Sequence, residues 1–440
     1  MKSQPHFYSA LRREFDDWHV WAGRGLVLLF AALAGLTVVA FTWLSEHALA
    51  YFFAMEKSLW WSPLLWTPLC TAAIVWVTRR YVPGAAGSGI PQVMAALTPD
   101  VPPAATGLYV SVKLSVAKIL LAAWGLLAGL SLGREGPSVQ IAAGVMHHAR
   151  RWLPTRAHIS SHGLMMAGGA AGIAAAFNTP LGGVMFAIEE LSRKPEQRSS
   201  GLLLAAIVLA GLMAVSVYGN STYFGVIRVD KLSMALFLPG LLLAVCCGLT
   251  GGLFARLLVL SLEGKSGDWF SRMRRLAPVR FAAACGLAVA VLGVLSHGDT
   301  FGSGYAYTRS MLESGTEASA LYVLLKFMAT WLTAWAGVPG GLFAPALAIG
   351  GALGSDIAQL TAYANAPTLI ALGMAGFLAA VTQAPLTAFI IVMEMVDGHG
   401  LVLSLMATAL VASGVSRLIS APLYTMLAAL QLQRLPSQRT

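Results

Sequence analysis

Charge is what this sequence has least of. Only 11% of its 440 residues are Asp, Glu, Lys or Arg, where a soluble domain carries about 25%. Mean hydropathy is +0.71 and 57% of the chain is hydrophobic. That combination excludes an ordinary soluble domain and a disordered chain. Cysteine is scarce too. Cys70, Cys246, Cys247 and Cys285 stand in apolar runs, with neither metal-ligand spacing nor a disulfide pattern, and read as small core or lipid-facing residues. The nine histidines avoid every Gly/Pro-rich break in the apolar runs, so a histidine-based active site or a metal centre has no support, and no cofactor is expected. Low-complexity tracts are missing, and residues 1–24, polar with mixed charges, lack the form of a cleaved signal.

What the chain has in quantity is apolar helix. At about 20 residues per crossing, its apolar stretches allow ten or more spans, several of them short. The expected spans begin with 25–47 and 63–77 and end with 401–419. Lys and Arg exceed Asp and Glu by 29 to 19, giving +10. In a membrane protein this excess reads as positive-inside bias in the loops rather than as affinity for nucleic acid. The bias places residues 1–24 and a basic linker at 264–280 in the cytoplasm. A first membrane repeat is expected over 25–225, a second over 226–425, and a short cytoplasmic tail over 426–440 with no soluble regulatory domain.

Against this apolar background a few charged or glycine-rich breaks stand out. Gly133-Arg134-Glu135-Gly136-Pro137 interrupts a run that contains a single lysine, Lys118. Charges at membrane depth cost about 2.5–3.5 kcal/mol each on insertion scales, so they suggest function by default. The glycines free the backbone, and Pro137 suits the first turn of a new helix. The reading is a broken helix whose new N-terminus points into the membrane, with free N–H groups and a positive dipole end that attract an anion. A plain Arg134–Glu135 ion pair is the duller alternative, disfavoured because adjacent residues do not face each other on a helix. Residues 337–345 hold a second break, with no charge; it reads either as another set of bare amides facing the same centre, with Phe343 as an apolar wall, or as a flexible turn. Gly87-Ser88-Gly89-Ile90-Pro91 sets a hydroxyl at a helix entrance, either as a cap or as an anion donor. Of the acidic pair that closes the run from Pro180, Glu189 suits interfacial water beside Arg193 and Lys194. Glu190 suits proton relay if it faces the interior.

The second half repeats the first. Lys118, Gly133 and Pro137 match Lys326, Gly341 and Pro345 at a constant offset of 208, and Pro180 and Glu189 match Pro385 and Glu394 at 205. Duplicated halves with broken helices are how many transporters build a site near mid-membrane. Whether the repeat is inverted depends on a parity of crossings that periodicity leaves open. Glu394 reads as structural.

Four segments together resemble the signatures of the CLC chloride channel and chloride/proton antiporter family: Gly-Ser-Gly-Ile-Pro at 87–91, Gly-Arg-Glu-Gly-Pro at 133–137, Gly-Gly-Leu-Phe-Ala-Pro at 340–345 and Pro-Leu-Tyr at 422–424. The resemblance spans nearly the whole chain. It implies an all-α polytopic membrane protein of two inverted repeats with many tilted and broken helices, in the bacterial inner membrane. It further implies a homodimer with one anion pathway per subunit. Position by position, it makes Ser88 and Tyr424 hydroxyl ligands of chloride, completed by the amides of Leu342 and Phe343, with Glu135 and Gly136 lining an outer site. Glu135 becomes the gate and Glu190 the inner proton-transfer carboxylate, while Lys118 and Arg134 act electrostatically. Gln92 stands where many relatives carry Glu, and Leu342 where Ile is often seen. The implied activity is chloride/proton exchange, with a passive chloride channel of the same family as the alternative. An intramembrane hydrolase built on Glu135 or Ser88 and a purely structural scaffold are the readings from other classes.

Overall fold

A computed structural model describes residues 18–99, 101–102, 104–154, 159–192, 200–219, 223–225, 234–265, 267–314, 318–319 and 321–433. The basic positions Arg156, Arg193, Lys194 and Arg198 lie outside them, as does most of the N-terminal segment. Apart from one isolated bridge, the regular structure among the described residues is helical. The first half runs α1 (Trp18–Ser58), α2 (Pro63–Tyr81), α3 (Ile90–Ala96), α4 (Val112–Leu127), α5 (Glu135–His148), α6 (Ser161–Phe177), α7 (Pro180–Phe186) and α8 (Ser200–Tyr218). The second runs α9 (Phe237–Glu263), α10 (Trp269–Leu276), α11 (Pro278–Leu295), α12 (Tyr305–Ser314), α13 (Tyr322–Ala336), α14 (Phe343–Leu360), α15 (Ala366–Thr382), α16 (Pro385–Met395), α17 (Val402–Arg417) and α18 (Leu423–Leu432).

Seven helical segments among the described residues are long and apolar enough to cross a membrane by themselves. The rest of the apolar chain is in shorter pieces such as α7 and α16, which start at Pro180 and Pro385 because the proline ends the preceding helix and suits the first turn of the next. α1 is the opposite case. Its 41 residues amount to about 60 Å at 1.5 Å per residue, twice the hydrocarbon thickness, so it must tilt or project. It also starts at Trp18, ahead of the expected boundary at Gly25. The basic linker is partly ordered as α10, and Arg274 there donates to the carbonyls of Leu262 (3.2 Å) and Trp335 (3.1 Å), tying it to α9 and α13.

The two halves interlock as a pair. α5 packs on α6, and α14 packs on α15 in the same manner. Gly168 and Gly172 of α6 lie directly on the backbone of α5, as Gly350 and Gly354 of α14 lie on that of α15. Small residues let backbones approach where lipid supplies no hydrophobic drive. Glu394 accepts the N–H groups of Leu181 (3.1 Å) and Gly182 (2.7 Å) at the start of α7. Glu189 accepts those of Leu386 (3.2 Å) and Thr387 (2.6 Å) at the start of α16. Each half thus caps a helix of the other with a carboxylate, satisfying orphan amides at the positive end of the dipole. Glu189 is therefore not a residue of the interfacial water, as the sequence suggested; the amides of α16 are its partners.

Candidate anion site between two helix starts

The breaks before α5 and α14 meet. Gly133 N–H donates to Gly341 O at 2.8 Å and Gly341 N–H to Gly133 O at 2.7 Å, an isolated antiparallel bridge. Equivalent residues of the two halves pair with each other, so a two-fold axis runs through the bridge. The pairing is antiparallel, so the chain runs in opposed directions through the two breaks. The approach is tight: a Cβ on Gly341 would stand 2.9 Å from Gly136 N and 3.0 Å from Gly133 O. Only glycine fits there. The first amides of both helices, which have no intrahelical acceptor, are thereby gathered at one place.

Ser88 comes to the same place from a third element. Its loop is shaped by Gly89, which takes φ +108°, a value closed to most side chains, and caps α3. Gln92 folds back on this loop, accepting the Gly89 N–H (3.0 Å) and donating to Ala86 O. Beneath it Lys118, fully buried, donates to Ala85 O (2.8 Å) and Gly87 O (2.5 Å). Lys118 thus supports the loop that carries Ser88 through its backbone. Lys326 repeats the arrangement in the second half, donating to Thr300 O (2.9 Å) and Gly302 O (2.8 Å).

Ser88 Oγ abuts Gly136, so closely that any Cβ on that glycine would strike it. Tyr424, at the start of α18, is fully buried and stacks its ring edgewise on Phe343, centroids 5.8 Å apart. Phe177 and Phe186 close the apolar wall around Phe343, each at 6.2 Å. Ser88 and Tyr424 face each other closely enough to interact, but not in hydrogen-bond geometry. Ser88 Oγ, Tyr424 Oη and Glu135 Oε2 are all buried without a hydrogen-bond partner in the protein. Buried hydroxyls are normally paired, so two unspent donors beside free helix amides form a place for an anion. Such donors carry no full charge and would hold an anion only weakly.

Glu135 is 1% exposed and turns its carboxylate toward the amides of Ala344, Arg134 and its own residue. It thereby sits where a small anion would be held, at the junction of the two breaks. Arg134 does not pair with it. Its guanidinium donates to Glu46 Oε1 (2.7 Å) and Tyr223 Oη (3.0 Å) and lies 5.6 Å from the Tyr223 ring centroid. Glu46, in α1, and Tyr223 gave no sequence signal; they stand 88 and 89 residues from Arg134. Beyond Glu135 opens a cavity of about 480 Å³, reached past Glu46, Arg134 and Asp299. Glu190 lies elsewhere, in a π-helical turn, Ala187–Leu191, that continues α7, and is 9% exposed. Glu135 and Glu190 both come near enough to Tyr424 for their charges to act on its phenol. Leu342 and Phe343 are 5% and 2% exposed, so their contribution at the site is backbone N–H and apolar wall.

A many-spanned helical protein with unpaired buried polar groups between paired helix starts has the features of an ion-transport protein of membranes. The particular family follows from comparison: a model of the family described as voltage gated chloride channel matches residues 70–417, and the chain belongs to that family, the CLC proteins, which are transporters and not enzymes. It is 29% identical over 437 residues to the H(+)/Cl(-) exchange transporter ClcA of Cronobacter sakazakii, covering 94% of this chain and 91% of that one. It is 30% identical over 433 residues to the ClcA of Yersinia pestis bv. Antiqua, covering 91% and 86%. Among solved structures, a slow cyanobacterial Cl-/H+ antiporter matches with TM-score 0.80 at 24% identity, over 93% of this chain and 98% of that one. A CLC-type fluoride/proton antiporter matches with TM-score 0.75, also at 24% identity, over 97% and 99%. The protein is accordingly an integral membrane protein with a CLC fold.

Proposed function

We propose that this protein exchanges chloride for protons across the membrane. The observation that carries the reading is the convergence of three unpaired buried polar atoms, Ser88 Oγ, Tyr424 Oη and Glu135 Oε2, on two facing helix starts. Hydroxyls and amides hold the chloride; Glu135 is a tethered carboxylate that competes for the same amides. An anion arriving beside Glu135 favours its protonated form by like-charge repulsion in a poorly solvated place. The protonated side chain then leaves, and the anion takes its place. Because the coupling is reciprocal, proton and anion movements are linked. Glu190, the inner carboxylate, supplies the proton. Lys118 positions Ser88, and Arg134 biases the outer mouth.

Support for chloride over fluoride comes from the retained Ser88 and Tyr424 hydroxyls, since fluoride-selective relatives depart from that pair. Support for exchange over a passive channel comes from the presence of both Glu135 and Glu190. Each subunit holds a complete set of these residues, consistent with one pathway per subunit of a homodimer. The test is proton uptake by liposomes holding the purified protein under an outward chloride gradient. Proton movement opposite to chloride supports exchange; chloride flux with no proton movement above leak turns the reading into a channel. The same assay under a fluoride gradient tests the ion.

A further inference from the structure

At the far end of α5 from Glu135, some 20 Å away by helix rise, lies a second cavity of about 550 Å³. It is walled by the start of α4 and the end of α5, and its side chains include Ser111, Lys113, His147, His148, Arg150 and Arg151. Among the described residues none that lines it is acidic. Two of its groups are already engaged: Ser111 Oγ accepts the Leu114 N–H at 3.3 Å, and His147 Nδ1 lies 3.0 Å from Ser161 Oγ. Lys113, Arg150 and Arg151 are exposed and, among the described residues, form no ion pair. Arg150, His148 and Arg151 crowd like charge around His147. Three uncompensated cations around one concavity call for an anion larger than a halide.

The surroundings say what presents it. Trp152, beside Arg151, is 67% exposed, Leu108 55% and Val112 41%. An exposed tryptophan among apolar residues marks the level of the membrane interface. α1 passes the same place, where Phe30 reaches His148, ring centroids 6.3 Å apart. By the basic-residue rule this is the cytoplasmic face, whose leaflet is anionic.

We propose that this cavity binds the phosphate group of an anionic lipid. Lys113, Arg150 and Arg151 grip the phosphodiester, and the acyl chains lie along Leu108, Val112 and Trp152. The site is independent of which ions cross the protein, so a failed exchange assay leaves it standing.

The experiment uses the full chain purified in detergent. Native mass spectrometry reads retention of phosphatidylglycerol against phosphatidylcholine for the wild type, for K113Q/R150Q/R151Q, and for R79Q/R80Q/R272Q, which removes three exposed charges elsewhere. The wild type and the control variant are expected to prefer phosphatidylglycerol. The site variant should bind it on the order of 100-fold more weakly, as three basic residues near the surface would contribute. A second arm reads the unfolding temperature with inorganic phosphate. Protection by phosphatidylglycerol alone supports the lipid. Equal protection by inorganic phosphate, lost in the site variant, makes the site one for free phosphate and overturns the lipid assignment. If the site and control variants lose lipid equally, the effect is bulk charge and the site is disproved.

Discussion

The two halves of this protein share a scaffold and differ in chemistry, and the division falls between backbone and side chain. Lys118 and Lys326 each hold two loop carbonyls. Glu189 and Glu394 each cap a helix of the opposite half. Gly133 and Gly341 bridge each other. These are backbone-directed contacts, and a duplicated fold needs them twice. At the site itself the halves part: the first helix start carries Glu135, while the second carries Phe343 in an apolar wall. One start can titrate and the other cannot. A device with two identical acidic starts would set two carboxylates against each other at the bridge.

The largest expected effect comes from erasing that difference. Glu135→Gln makes both starts neutral. Chloride flux should continue while proton coupling disappears altogether, and the rise of flux on lowering pH, which follows from the need to protonate Glu135, should flatten. Paired chloride and proton recordings on liposomes check this; a variant that stays fully coupled removes the gate from Glu135. Next comes Glu190→Gln, expected to preserve chloride flux and lose proton movement while leaving the response of chloride flux to external pH. Unchanged proton flux in that variant would take Glu190 off the path.

Ser88→Ala against Ser303→Ala sharpens the comparison at the hydroxyls. Ser88 faces the centre without a protein partner, whereas Ser303 Oγ accepts the N–H of Tyr305 at 3.3 Å and lines the outer cavity. Loss of one hydrogen bond to a charged ligand, about 1.5–3 kcal/mol, should weaken chloride binding roughly tenfold or more in Ser88→Ala. Isothermal titration with chloride should find Ser303→Ala close to the wild type.

How much of this was legible in the sequence follows the same division. The breaks and the duplication could be read because charge is rare in an apolar chain, because glycine flanks it at the first break, and because the offset of 208 recurs; Tyr424 stands out only through the family resemblance. The partners could not be read. Arg134 meets Glu46 from 88 residues away, and no periodicity specifies which of several carboxylates a long side chain will reach. Glu189 is instructive. Its nine-residue spacing from Pro180 was visible in both halves, yet a carboxylate at a helix end looks the same whether it meets water or the amides of another helix. Only the inverted packing, which brings the start of α16 to the end of α7, decides between them. The lysines stand out by their register, but the carbonyls they hold belong to loops whose path composition does not encode.

The smallest effect tests whether the reciprocal caps are truly equivalent. Glu189 and Glu394 make the same pair of bonds to opposite halves, so Glu189→Gln and Glu394→Gln should each destabilise by about 1–2 kcal/mol, the worth of a charge-assisted cap at a helix N-terminus in a partly buried setting. Unfolding temperature in detergent should fall by a similar amount in both. Exchange should respond unequally, because Glu189 adjoins Glu190 whereas Glu394 sits in the half without a proton carboxylate. A Glu189 variant whose stability loss matches that of Glu394 but whose proton-to-chloride ratio falls would show that the cap also holds Glu190 in register. Equal ratios in the two variants would confine both caps to holding the halves together.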